Sequence, residues 1–365
     1  MSNVLELALQ LMQAESTSNG EEAALVRVEE LLRARQWRIT RIPVSEGRWD
    51  VYATKLEAPR VTLSTHLDTV PPYIPPRVEG ERLWGRGACD AKGIAAAMIC
   101  AADRLAARGI PAALLFVVGE EVTHDGAHAA NAWAASNGIA NRVLINGEPT
   151  ESRLAVGTKG AIRAVVRTDG VAAHSAYPHL GRSATRDLVH LLAELEGVPL
   201  PLDELLGETT INIGMLAGGV ADNVVAPWAE ARLMARLVGP AEELQAIIER
   251  WADGRATVTW GAVVPPIRLG VVEGFETCVA AYATDIPELT NWGVPYLFGP
   301  GSIHLAHRDD EHVEIAELEA AVDAYQRLAV AALEASDSGS GRRHPEQREP
   351  RASAVEGAGS SHGER

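Results

Sequence analysis

Apolar residues recur at helical spacing over residues 4–12 and again over 21–34, with the polar run Ser16-Thr17-Ser18-Asn19-Gly20 between them. That spacing predicts two amphipathic helices. Runs with strand character follow at 37–42, 49–54 and 60–64. The Ala-rich segment 91–107 reads as a helix, and 112–118 as a buried strand. Residues 131–137 have helical spacing, and 142–145 form another short apolar run. Strands alternating with helices predict a three-layer α/β domain around a mainly parallel sheet.

From Gly160 the rhythm changes. The pattern predicts a strand at 161–167, a helix at 183–196, strands at 209–215 and 230–237, a helix at 241–251 and a strand at 256–263. A β-α-β-β-α-β order fits a ferredoxin-like α+β unit inserted into the larger domain. Beyond it the larger domain resumes with a helix at 277–283, a strand at 295–298 and a final helix at 315–334. The expected organisation is therefore a main domain of residues 1–160 and 265–335, an insertion of 161–264, and a tail of 336–365. The tail is rich in Ser, Gly, Arg, Glu and Pro, too polar to offset the entropy of ordering, and is expected to be disordered; His344 and His362 within it are read as bystanders.

Composition narrows the partners. A formal charge of −16 argues against nucleic acid and anionic membrane surfaces. The first residues lack the basic start of a secretory signal, and charges interrupt every apolar stretch before it reaches membrane-spanning length. Three widely spread cysteines, Cys89, Cys100 and Cys278, make neither a disulfide framework nor a thiolate metal cluster, so a cytoplasmic location is expected.

The chemistry concentrates where apolar runs end. Strand 112–118 runs into Gly119 and two adjacent carboxylates, Glu120 and Glu121, with no Lys or Arg nearby in sequence to balance them. His66 and Asp68 stand just beyond the strand at 60–64; at that spacing in extended backbone both side chains face one way, so the Asp68 carboxylate can accept from one imidazole nitrogen while the other binds a metal. Asp90 lies between glycines at the start of the Ala-rich helix, where it could alternatively act as an N-cap. Glu148 follows the strand at 142–145, and His304 and His307 follow the strand at 295–298. Strand ends on one rim of an α/β sheet are where ligand sites gather, and mixed His and carboxylate donors suit a borderline divalent ion such as zinc.

These motifs, in this order, resemble the dinuclear zinc hydrolases that include acetylornithine deacetylase, succinyl-diaminopimelate desuccinylase, carboxypeptidase G and aminoacylase. The resemblance rests on Thr65-His66-Leu67-Asp68-Thr69-Val70-Pro71, Gly87-Ala88-Cys89-Asp90-Ala91-Lys92-Gly93, Gly119-Glu120-Glu121, Gly147-Glu148-Pro149-Thr150, and Gly299-Pro300-Gly301 through Ala306-His307 with Asp310-Glu311. It implies two divalent ions, zinc first with cobalt or manganese as alternatives. One ion would take His66, Asp90 and Glu148, the other Asp90, Glu121 and His307, with Asp90 bridging. Glu120 then stays free as general base, with Asp68 beside His66. On that resemblance Glu120 would deprotonate water held between ions about 3.5–4 Å apart, the hydroxide would attack an amide carbonyl, and the proton would pass to the leaving amine.

The insertion becomes a lid and dimerisation domain on the same resemblance. His174, in Ala173-His174-Ser175-Ala176-Tyr177-Pro178, would stabilise the oxyanion, often across the interface of a homodimer. Asn223 would hold substrate, and Arg236 or Lys159 its carboxylate, although a strand arginine can equally reach to solvent. Ala226 before Pro227 departs from the family's loop pattern. His307 is preferred over His304 as the ligand, His124 and His128 are read as loop residues near the site, and Cys89 as a packing residue. The expected activity is removal of an acyl group from an N-acyl amino acid, in the manner of acetylornithine deacetylase. The alternative is a dipeptidase or carboxypeptidase acting on short peptides with the same site. A catalytically dead binding relative would have lost Glu120 or a ligand, and none is lost here.

Overall fold

In a computed structural model of the chain, residues 3–338 are described. Helices α1 (Asn3–Met12) and α2 (Glu22–Ala34) lead into strands β1 (Arg38–Ser45), β2 (Arg48–Thr54) and β3 (Val61–His66). A small hairpin, β4 (Arg77–Glu79) and β5 (Arg82–Trp84), precedes helix α3 (Lys92–Ala107), strand β6 (Ala112–Val117), helix α4 (Asp125–Ser136) and strands β7 (Val143–Asn146) and β8 (Leu154–Thr158). Next come β9 (Gly160–Asp169), α5 (Ala184–Leu195), β10 (Leu202–Asp203), β11 (Gly207–Glu208), β12 (Thr210–Gly218), β13 (Trp228–Leu237), α6 (Ala241–Ala252) and β14 (Thr257–Val264). The chain ends with β15 (Ile267–Arg268), β16 (Thr277–Ala280), β17 (Val294–Leu297), β18 (His312–Glu314) and α7 (Ile315–Asp337).

The large sheet has the order β1-β2-β6-β3-β7-β17-β8-β15, with β16 on β8. Its central strands β6, β3, β7 and β17 are mutually parallel, whereas β1, β2 and β15 pair antiparallel, so the sheet is mixed rather than mainly parallel. Both faces are covered. Alternate residues of β6 divide between them: Leu114 and Phe116 join the core under α1, α3 and α7, while Ala113, Leu115 and Val117 meet the α4 side with Trp292. Such double burial explains why β6 reads as a continuous apolar run.

A separate four-stranded antiparallel sheet, β12-β13-β9-β14, carries α5 and α6 on one face around Ile162, Val166, Leu188, Leu233 and Leu244. The chain leaves the large sheet after β8 and rejoins it at β15, which pairs with that same strand.

Three expectations need correction. Residues 277–283 do not form a helix: β16 lies parallel to β8, and a run this short carries no periodicity that separates helix from strand. Helix α4 begins at Asp125 and not near 131, taking in Gly126 and His128. Helix α7 continues to Asp337, past the expected boundary at 335, and the rest of the tail, with His344 and His362, lies outside the described residues. Among the described residues no helix is long and apolar enough to cross a membrane.

Candidate metal centre

The carboxyl ends of β3, β6, β7 and β17 lie side by side; His66 is the last residue of β3, and the loops leaving the other three carry Glu120 and Glu121, Glu148 and His307. Asp90 joins them from the turn before α3. It is not the helix cap, because that position belongs to Ala91 and no side chain caps there. Asp90 Oδ1 lies 3.0 Å from His66 Nε2, and its Oδ2 lies 3.4 Å from His307 Nε2. His66 Nε2 is also 4.0 Å from Glu148, and His307 Nε2 is 3.0 Å from Glu121. Two donor groups result, His66 with Asp90 and Glu148, and Asp90 with Glu121 and His307, each with its ligand atoms within 4.8 Å of one another.

Supporting contacts fix these donors. His66 Nδ1 hydrogen-bonds the Asp68 main-chain carbonyl at 2.9 Å, whereas the Asp68 carboxylate stands 3.5 Å away. The expected imidazole–carboxylate contact is thus a long ion pair, beside the shorter bond to the backbone. The carboxylate of Asp68 also accepts from Ser18 Oγ at 2.8 Å and from the backbone N–H groups of Glu120 and Glu121 at 3.1 and 3.2 Å. Glu311, paired with Arg86 at 2.7 Å, accepts in the same way from the N–H groups of Gly87, Cys89 and Asp90. Burial and the nearby Asp90 push the Glu311 carboxyl up to about 7.

The charge balance points to cations. Burial pushes Glu120 and Glu148 well above the carboxylate range, and repulsion adds to it, from Glu148 on Glu120 and from Asp90 on Glu148. Asp90 is held below its ordinary range: burial opposes ionisation, but hydrogen bonds from His307 and His66 prevail. Hydrogen bonds to Asp90 and Glu121 raise His307 to about 10. Glu148 Oε1 is buried with no hydrogen-bond partner among the described residues. Tetrahedral zinc sets its ligands ~3.3 Å apart, close to the separations around Asp90, so the donor set fits two divalent ions.

The lid candidates lie apart from this cluster. His174 is exposed and its Nδ1 accepts from Ala176 N–H at 3.1 Å, while the main-chain carbonyl of Asn223 accepts from Ser175 N–H at 3.0 Å. No hydrogen bond or ion pair links either side chain to the carboxylates among the described residues. Arg236 is half-buried on β13 with no anionic partner among the described residues; burial and Arg163 lower its pKa. Lys159 Nζ donates to the Glu208 carbonyl at 2.5 Å. His304 is exposed and outside both donor groups. His128 lies in α4 and pairs with Glu288 at 3.2 Å, so it is not a loop residue. Cys89 is buried, as expected of a packing residue.

Two residues absent from the sequence reading stand near the centre. Tyr282 donates to the Pro149 carbonyl at 2.9 Å, and burial with Glu148 and Asp90 nearby raises its pKa strongly. Asp285 is buried and lies 2.7 Å from His124 Nδ1. Both follow β16, a short and only partly buried strand, so the signal that identified the others, polar groups just past a buried apolar run, was weak here and was lost by reading 277–283 as a helix.

A family profile described as Peptidase family M20/M25/M40 matches residues 62–331. A probable carboxypeptidase of Paracoccidioides brasiliensis (strain Pb03) is 38% identical over 379 residues, covering 91% of this chain and 86% of the relative. Among solved structures, a tripeptidase from Staphylococcus aureus superposes with a TM-score of 0.75 at 20% identity, covering 91% of this chain and 98% of that one. A dinuclear metal-binding peptidase from Bacillus subtilis gives 0.67 at 15% identity, covering 91% and 98%.

Proposed function

The chain belongs to peptidase family M20/M25/M40 and is a metallohydrolase of amide bonds, and on that premise we propose that it cleaves the amide next to a free carboxylate, as a carboxypeptidase or dipeptidase. The observation that carries this reading is Asp90, whose two oxygens face two different histidines, each flanked by a glutamate. Relatives named probable carboxypeptidases favour a peptide over an N-acyl amino acid. The second reading, an acetylornithine deacetylase-like deacylase, is favoured by the Gly299-Pro300-Gly301 loop that leads to His307.

His66, Asp90 and Glu148 would hold one ion and Asp90, Glu121 and His307 the other, zinc being the best match to His and carboxylate donors, with cobalt and manganese next. Bound there, the pair supplies Lewis acidity toward the scissile carbonyl and lowers the pKa of water. Glu120 takes a proton from the attacking water and returns it to the leaving nitrogen. Its carboxylate accepts no hydrogen bond among the described residues, and burial raises its pKa toward the range a general base needs. Asp68 holds the Glu120–Glu121 turn through both backbone N–H groups. Arg236 takes the substrate carboxylate; Lys159 is already engaged by Glu208. His174 and Asn223 act from the lid, and His174 serves the site of a partner copy in a homodimer.

The test is amine release by zinc-loaded protein from short peptides, from the same peptides amidated at the carboxyl end, and from N-acetyl and N-succinyl amino acids. Expected are turnover of free-carboxylate peptides, none of the amides, and a kcat lower by about 10²–10⁴-fold in Glu120→Gln at unchanged metal content. Turnover confined to the N-acyl amino acids would establish the second reading instead.

A further inference from the structure

A third group of donors stands beside the two assigned to metal. Ligand atoms of Glu120, His124 and Asp285 lie within 4.8 Å of one another, and none of these residues belongs to the other groups. His124 occupies the left-handed region at φ 53°, unfavourable for any residue with a Cβ, at the entry to α4. Two contacts hold it there: its N–H donates to the Gly119 carbonyl at 2.8 Å, and Nδ1 meets the Asp285 carboxylate at 2.7 Å. Near Asp285 lies Asp50, fully buried, with Oδ2 unpartnered among the described residues. The single imidazole stands between two carboxylates, Glu120 and Asp285.

We propose that Glu120, His124 and Asp285 form a third, lower-affinity site for a borderline divalent cation such as zinc, and that its occupation inhibits the enzyme by engaging Glu120. One imidazole and two carboxylates are the donor chemistry of the two main groups. The donor atoms lie within 4.8 Å of one another and a tetrahedral ion sets its ligands ~3.3 Å apart, so rotations of these side chains can close on an ion, with a fourth position left for water. The inhibitory half rests on the reading of Glu120 as general base; the binding half does not.

The experiment uses the full-length protein loaded with two equivalents of zinc and dialysed against a series of buffered free zinc concentrations. Zinc per chain and activity are measured at every point for the wild type, His124→Ala and His124→Gly. The glycine variant suits the positive φ, which separates loss of a ligand from loss of the fold. The wild type should take up a further equivalent in parallel with loss of activity. Both variants should lack that equivalent, with the half-inhibitory zinc concentration raised at least tenfold. Ions taken by residues common to all three proteins cancel in the comparison. A further equivalent and an inhibition curve unchanged in both variants would overturn the site. A His124-dependent equivalent without inhibition would support the site and overturn the role of Glu120.

Discussion

Asp50 shows what a single residue costs when its surroundings suit the site and not itself. Its carboxylate accepts from the Val118 N–H at 3.1 Å and so steadies the end of β6, yet its other oxygen is buried without a partner among the described residues. Burial pushes its pKa well above the carboxylate range, and Asp285 and Asp125 reinforce the shift against the hydrogen bond and Arg48. An unfolded aspartate ionises near pH 4. Above that pH the unfolded chain gains by ionising while the folded chain does not, so the stability this residue contributes at low pH is lost progressively as pH rises toward its folded pKa. Asp50→Asn keeps the acceptor for Val118 and removes the ionisation. Its melting temperature relative to wild type should climb as pH is raised above about 5 toward the folded pKa of Asp50, by no more than about 1.4 kcal/mol per pH unit in stability. Thermal melts at fixed zinc across that range check this, and a constant difference between the two proteins would show that Asp50 is charged in the folded state.

At the level of elements, legibility followed burial on both faces. β6 is a continuous apolar run, β7 and β17 are short apolar runs, and β3, buried throughout, carries Val61 and Leu63 among hydroxyl residues, so their ends, and the acids and histidines just beyond, could be located from sequence. β16 could not, because its strand character comes from β8 alongside it, and Tyr282 and Asp285 were lost with it. The hairpin β4–β5 and β18 are short and held by one another. Gly126 misled in the opposite sense. Helix propensity makes glycine a weak point, worth about 1 kcal/mol against alanine, which argued for a loop around His124 and His128. In the fold, a Cβ at 126 would stand 2.3 Å from the Val118 carbonyl oxygen and 2.6 Å from Asp50 Oδ1, so glycine is what lets α4 press against the end of β6. Gly126→Ala should therefore destabilise the protein, by roughly 1–3 kcal/mol as overpacking does, where propensity alone predicts a gain. Chemical denaturation decides the sign, and a more stable variant would mean that α4 can move away from β6 at little cost.

The whole molecule poses a question of edges. In the small sheet β9 and β13 are covered on both sides, while β12 leaves one edge open. Its sequence, Thr-Ile-Asn-Ile-Gly-Met-Leu-Ala-Gly, carries no charge, and Ile213, Met215 and Leu216 are 41, 59 and 60% exposed. Proteins that leave a strand edge open usually protect it with charge, proline or a covering segment, and β12 has neither proline nor charge. A second copy pairing along β12 would cover it. It would also give His174, which contacts no carboxylate of its own chain's metal groups among the described residues, a site to serve in the other chain. The wild type should therefore sediment as a dimer, and Met215→Glu with Leu216→Glu as a monomer. Because both positions are exposed in the single chain, the substitutions should change the stability of that chain by no more than about 0.5 kcal/mol. Activity should fall with dissociation while zinc content stays constant, since none of the metal donors lies on β12. A wild-type chain that sediments as a monomer and turns over substrate at full rate would end both the pairing and the role of His174 in the other chain's site.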